Sequence, residues 1–151
     1  MKEQDLEKLW DEHTKYEFAT PDVEATLATM VEDAYVNHVP VMTGGKGKTA
    51  LRAFYGTDFI PCMPPDFKIT RVSRTVGENR LVDEMVISFT HTIEMPWILP
   101  VAIVGFRDGK LAHENIYWDQ ASVLKQIGLL SGEGLPMHGA ETARKVLELQ
   151  A

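Results

Sequence analysis

The chain has 151 residues, of which 44% are hydrophobic and 25% are charged, and its formal net charge at pH 7 is −7. This length predicts one domain, residues 1–151, that can bury a sizeable core without disulfides or a structural metal. The acidic balance argues against a nucleic-acid partner, because such proteins usually carry a basic patch. The single cysteine excludes an intramolecular disulfide and is typical of a protein from a reducing cytoplasm.

The apolar runs of the chain are short. The longest, around Trp97 to Phe106, is interrupted by Pro100 and falls short of the about 20 residues that a membrane-spanning helix needs. The charged N-terminus lacks the apolar segment of an export signal. The sequence therefore predicts a soluble, cytoplasmic protein without a membrane partner.

Helices are predicted in the first third of the chain. An apolar stripe of helical spacing runs through residues 3–18 and consists of Leu6, Leu9, Trp10, His13 and Tyr16. In this interpretation His13 packs at the edge of the stripe. The segment Thr20-Pro21-Asp22 favours the start of a second helix that runs to about Tyr35. A third, short helix is predicted over residues 49–55.

From residue 66 onward the hydrophobic period changes to two, which predicts antiparallel strands. The clearest strand face holds Leu81, Asp83, Met85, Ile87, Phe89, His91 and Ile93. His91 is therefore either a core histidine that bonds a backbone carbonyl or a pocket residue. The proline-bounded segment 97–100 could form a pocket rim, and residues 101–106 form the next strand.

The stretch Leu111 to Gln120 follows a hairpin turn at Asp108-Gly109 and alternates in character. One face would hold Ala112, Glu114, Ile116, Trp118 and Gln120, and the other Leu111, His113, Asn115, Tyr117 and Asp119. Glu114 would then have mostly apolar neighbours, which raise the pKa of a carboxyl group towards the range useful for proton transfer. The alternative interpretation is a structural strand in which Glu114 pairs with a base.

Two further helices are predicted after this strand, one following Asp119 and one over residues 140–149. Helices come first in the chain and three or four antiparallel strands follow, which is the segregated order of an α+β fold. A long, twisted antiparallel sheet with helices across one face curls into a half-open cone. Such a cone encloses a pocket.

Four segments resemble SnoaL-like proteins of the nuclear transport factor two-like superfamily: residues 35–40, 89–93, 113–124 and 126–130. The string Glu-Asn-Ile-Tyr-Trp-Asp-Gln at residues 114–120 is specific for this subgroup. The resemblance covers nearly the whole chain. It implies a cone-shaped, curved antiparallel sheet wrapped around N-terminal helices, which is a cystatin-like α+β barrel.

The resemblance also implies a chemistry. Cyclase-like members of the superfamily use a carboxylic acid and a histidine on the pocket face, without a cofactor or a metal. By position these roles fall on or near Glu114 and His91, with His38 at the pocket mouth. Family cyclases tend to carry an aspartate near Ile116 or Asp119, so Asp119 is a second candidate for the acid.

The apolar lining of the implied pocket is assigned to Phe54, Phe89, Trp97, Ile116 and Trp118. Asn115 and Tyr117 would supply hydrogen bonds if the opposite strand face lined the pocket. The predicted function is proton transfer next to a carbonyl group of a small apolar or carbonyl-containing molecule, in a cyclase, isomerase or dehydratase. The alternatives are a non-catalytic binding module for a small apolar metabolite and a dimerisation domain. A homodimer is expected.

Overall fold

The structure, a computed structural model, describes residues 2–90 and 96–150, which contain five α-helices, four short π-helical or 3₁₀ turns and seven strands. The helices are α1 (Glu3–Thr14), α2 (Val23–Ala28), α3 (Lys48–Ala53), α4 (Gln120–Gln126) and α5 (Ala140–Gln150). The strands are β1 (Met30–His38), β2 (Thr43–Lys46), β3 (Lys68–Gly77), β4 (Arg80–Ser88), β5 (Trp97–Ile98), β6 (Val101–Arg107) and β7 (Lys110–Tyr117). Within these residues, no helix combines the length and apolarity needed to cross a membrane.

The seven strands form one sheet in the order β2-β1-β7-β6-β4-β3, with β5 paired to β4. Neighbouring strands run antiparallel except for β1 and β7, which are parallel. Register shifts mark bulges at Val72 in β3 and at Ala112 in β7, and bulges bend a strand and increase its twist. The sheet is curved and unclosed, with α1 against its concave side. The predicted α+β cone is confirmed.

The second helix is shorter than the sequence predicts. Asp22 caps it, since its carboxylate accepts a hydrogen bond from the Ala25 N–H at 2.9 Å, and the helix ends at Ala28. Residues 30–38 form strand β1, so the prediction of a helix up to Tyr35 is wrong. The burial pattern explains the error, because the register shifts within β1 and two exposed acids separate Val31 from Ala34. This irregular spacing of apolar residues imitates a helical stripe.

In the second half of the chain, the observed strands agree better with the sequence-based prediction. Strands β3, β4, β6 and β7 lie where the period of two places them. Asp108 and Gly109 have φ angles of 53° and 74°, the positive values that a two-residue hairpin turn needs. The last predicted strand ends at Tyr117 and not at Gln120, because Asp119 caps α4 through a hydrogen bond from the Ser122 N–H.

A buried polar contact holds α1 against the sheet. The Asp83 carboxylate on β4 is 3% exposed and accepts a hydrogen bond from the Trp10 indole N–H at 2.8 Å. The Arg74 guanidinium on β3 donates to both carboxylate oxygens of Asp83, at 2.7 and 2.6 Å. Charge-assisted bidentate pairs of this kind are strong and directional. The contact therefore fixes how α1 lies across β3 and β4.

Replacing Asp83 with alanine should leave the Arg74 charge and the Trp10 N–H without their acceptor. We expect the free energy of unfolding to fall by about 3–5 kcal/mol, the range for removing one partner of a buried ion pair. Urea denaturation followed by circular dichroism measures this loss. The matched control is Asp11→Ala, which removes the exposed acid that Arg74 also contacts and should cost less than about 1 kcal/mol. Equal losses in the two variants would contradict a buried role for Asp83.

Candidate functional site

A cavity of about 240 Å³ lies between α1 and the concave face of the sheet. Most of its wall is apolar and includes the aromatic side chains of Trp10, Phe18, Phe59, Phe67, Phe89 and Trp118. The polar residues in the wall are Thr14, Glu17, His38 and Glu114. The cavity is therefore an apolar chamber with a small number of convergent polar groups, which is the usual character of a small-molecule site.

Three ionisable side chains meet at the inner end of the cavity, and we call His13, Glu17 and Glu114 the acid–histidine cluster. His13 on α1 and Glu17 on the π-helical turn after it are four residues apart, so they share one helix face. Glu114 comes from β7. His13 Nε2 lies 3.0 Å from Glu114 Oε1 and 3.2 Å from Glu17 Oε1. All three residues are buried.

Hydrogen bonds around the cluster determine where the protons lie. The Thr29 hydroxyl donates to the Thr26 carbonyl at 2.6 Å, so the Thr29 oxygen is left to accept the contact with His13 Nδ1 at 2.6 Å. His13 Nδ1 therefore carries a proton, and Nε2 faces the two carboxylates. The Tyr55 hydroxyl lies beside them and donates to Glu114 Oε1 at 3.5 Å.

The pKa values of the cluster follow from burial and from mutual attraction. Burial lowers the pKa of His13, but the charges of Glu17 and Glu114 outweigh this effect and raise it to about 10. Burial raises the pKa of Glu114, and His13 opposes that rise. Burial and the two carboxylates raise the pKa of Tyr55, which keeps its hydroxyl protonated. At neutral pH a proton therefore lies between His13 Nε2 and the carboxylates.

From Glu114 onward the predicted alternation of β7 agrees with the structure, but the register shift at Ala112 breaks it before that point, and Leu111, which was predicted on the opposite face, is buried in the core. Glu114, Ile116 and Trp118 face the cavity, together with Phe89, which directly follows β4. Asn115 lies on the opposite face, where its amide donates to the Tyr35 hydroxyl at 3.2 Å. Tyr117 also points outward and is 43% exposed. The structure therefore places Asn115 and Tyr117 outside the cavity.

His38 lines the cavity at the end of β1. Its ring packs against Phe54, Phe59 and Trp118, with ring centroids 5.6 to 5.8 Å apart. Burial lowers the pKa of His38, so the ring is neutral at pH 7. Its Nδ1 is buried and has no hydrogen-bond partner among the described residues. Phe54 is itself buried in the core next to His38.

Two other candidates, Asp119 and Trp97, lie outside this cavity. Asp119 is exposed and serves as the N-cap of α4. The backbone N–H and carbonyl of Trp97 bond the Gln126 side chain at 2.7 and 2.8 Å, and its ring contacts the Arg144 guanidinium. Asp119 and Trp97 both border a separate, smaller hollow beside α5. His91 belongs to residues 91–95, which lie outside the described residues.

Sequence reasoning missed His13, Glu17 and Tyr55. His13 was expected to pack at the edge of an apolar stripe, but its side chain is fully buried against two acids. The stripe was continued to Tyr16, whereas the structure buries Glu17 and leaves the Tyr16 hydroxyl bonded to Glu12 on the outer face. The available signal was the spacing, because Glu17 lies four residues after His13.

Comparison with known proteins identifies the fold. No protein-family model and no curated protein matches the sequence, but solved structures match the chain. A protein named as a SnoaL-like polyketide cyclase from Jannaschia sp. CCS1 has a TM-score of 0.68 at 14% identity and covers 83% of this chain and 92% of its own. One named as a ketosteroid isomerase from Kribbella flavida has a TM-score of 0.62 at 13% identity, over 78% and 80% of the two chains.

A third match is a hypothetical protein with a ketosteroid isomerase-like fold from Catenulispora acidiphila, in complex with trimethylamine. Its TM-score is 0.67 at 12% identity, over 85% of this chain and 98% of that one. The chain therefore has the nuclear transport factor two-like fold that SnoaL-like and ketosteroid isomerase-like proteins share, as the sequence resemblance predicted. At such low identity the likeness concerns the fold alone.

The protonation of His13 can be tested directly. We expect its pKa to be about 10, against 6.5 for the ordinary side chain, in a pH series of ring ¹⁵N chemical shifts. Because the folded value is the higher one, the bound proton stabilises the fold fully below pH 6.5, and this contribution is lost as the pH rises through about 10. The stability advantage of the wild type over His13→Gln should fall across that interval. A His13 pKa at or below 6.5 would contradict the cluster geometry.

Proposed function

We propose that the chain is a cofactor-independent enzyme that moves a proton next to a carbonyl group of a small apolar molecule. Cyclisation, isomerisation and dehydration are reactions of this type. The observation that supports the proposal is the Glu114 carboxylate, which lines the apolar cavity and lies 3.0 Å from the buried His13. Burial raises the pKa of Glu114, and a carboxyl group tuned in this direction is suited to accepting and returning a proton near neutral pH.

In the proposed reaction Glu114 takes a proton from the carbon next to the carbonyl and returns it at a second position. His13 and Tyr55 do not line the cavity, so they hold Glu114 in place and adjust its basicity from behind. His38 lines the same cavity with a neutral ring and would pack against the substrate. Trp118 and Ile116 would hold the apolar part of the substrate.

A test needs only a simple ketone, because proton abstraction next to a carbonyl can be followed without the natural substrate. We expect the protein to accelerate the exchange of the α-protons of 2-tetralone in D₂O, observed by ¹H NMR. Glu114→Gln keeps the volume of the side chain but removes its capacity to exchange a proton. This variant should lower the rate on the order of 10²-fold or more.

The matched control is Glu12→Gln, which makes the same substitution on the outer face of α1 and should leave the exchange rate unchanged. Equal rates in the wild type and Glu114→Gln would contradict the catalytic role of Glu114.

The second candidate function, a non-catalytic binding module, is supported by the mainly apolar wall of the cavity. It predicts that the wild type retains ketones without exchange and that Trp118→Ala, but not Glu114→Gln, weakens this retention.

We also propose that two copies associate through the outer face of the sheet. Val82 and Ile103 are paired across β4 and β6, point away from the cavity and are only partly buried, as is Val101. A partly exposed apolar patch on a sheet is a typical packing surface. Light scattering at micromolar concentration should therefore give twice the chain mass of 17.0 kDa. A mass equal to that of a single chain would contradict the dimer.

A further inference from the structure

The charged groups in the described wall of the cavity are acidic. Glu17 and Glu114 both line it, whereas no lysine or arginine among residues 2–90 and 96–150 does so. His38 is the histidine of the described wall, and burial keeps it neutral. The positive charge of His13 lies behind the two carboxylates and is 0% exposed. A molecule inside the cavity therefore meets carboxylate groups and no positively charged group of the described wall.

The carboxylates also have capacity left for a ligand. Each uses its Oε1 atom for the contact with His13 Nε2, at 3.0 Å for Glu114 and 3.2 Å for Glu17. The hydrogen bonds and ion pairs that the two carboxylates make with described residues all involve Oε1, and a carboxylate can accept several hydrogen bonds. Hydrogen bonds from a charged donor to a carboxylate are about twice as strong as those between neutral groups. A cationic donor would therefore bind these carboxylates more strongly than a neutral donor.

The aromatic side chains of the cavity wall also favour a cationic ligand. The faces of aromatic rings attract cations, and the attraction grows when the site excludes water. The rings of Trp10, Phe18, Phe59 and Trp118 line the cavity on which Glu17 and Glu114 open. An anion, by contrast, would lose its hydration in an apolar chamber and meet like charge there, both of which are unfavourable.

We propose that the cavity binds ligands that carry a protonated amino group on an apolar, ring-containing body. The ammonium group donates to Glu17 and Glu114, and the ring packs among the aromatic side chains. The inference rests on the proposed function only in taking the cavity as the ligand site. It adds a consequence for the chemistry, because a cation beside Glu114 favours its ionised form, which is the form that accepts a proton.

A series of three probes of nearly equal shape tests the proposal: 2-naphthylmethylamine, 2-naphthylmethanol and 2-naphthoate. At pH 7 they carry a positive charge, no charge and a negative charge. Isothermal titration calorimetry should show the amine binding about tenfold or more tightly than the alcohol, which is about 1.4 kcal/mol, and the carboxylate binding most weakly. Amine affinity equal to or below that of either other probe, including undetectable amine binding, would overturn the proposal.

Two variants assign the preference to the cavity. Glu17→Gln removes one of the two wall carboxylates and should reduce the ratio of amine to alcohol affinity at least about fivefold, while the alcohol keeps its affinity. Glu12→Gln removes the same charge from the outer face of the helix and should leave the ratio unchanged. An unchanged ratio in folded Glu17→Gln would overturn the assignment. If that variant does not fold, the ranking of the three probes on the wild type still decides the proposal.

The outcome is separable from that of the proposed function. Equal affinities for the three probes, together with Glu114-dependent exchange of ketone protons, would reject the cation preference and leave the catalytic proposal intact. The expected ranking without Glu114-dependent exchange would do the opposite. In that case the cavity is a receptor for apolar amines and not an enzyme active site.

Discussion

The burial of one histidine between two carboxylates is the constraint on which the interior of this cone depends. A single unpaired charge in an apolar interior is strongly unfavourable, so His13, Glu17 and Glu114 can be buried only together. Two of these residues belong to the first helix and its extension, and the third belongs to the central strand β7. The electrostatic pairing therefore fixes how α1 packs against the concave face of the sheet. The contact of Trp10 and Arg74 with Asp83 fixes the same face of this helix about one turn earlier.

The sequence predicts β7 and the hairpins well because one face of each strand lies on the cavity or core and the other faces outward, which gives a period of two. It fails at β1, whose apolar spacing is distorted by a register shift. One of its two sheet partners, β7, is distant in the sequence and pairs with it in parallel. Pairing with a distant strand overrides local preference, so a local pattern could not reveal it.

Part of the candidate site could be predicted from the same alternation of strand residues. Glu114 attracts notice because a carboxylate alternates with apolar residues, and the structure places it with Ile116 and Trp118 in the cavity. His13 and Glu17 look like ordinary members of an amphipathic helix, since their burial depends on a strand that the helix meets only in the folded state. The position of Asp119 favours a simpler role, because it directly precedes a predicted helix. In the structure its carboxylate accepts a hydrogen bond from the Ser122 N–H and caps that helix.

The parallel pairing of β1 with β7 also determines when the site can form. Val36 lies opposite Glu114 in this register, so the edge of β1 that faces β7 has no partner until that distant segment of the chain has been synthesised. Contacts between such distant segments carry a large loop-closure cost and slow folding. Until then this edge of β1 is uncovered, and β2 is its neighbour from the same part of the chain. The cavity is therefore a late product of folding, because it forms only when β7 joins β1 and β2 to the rest of the sheet.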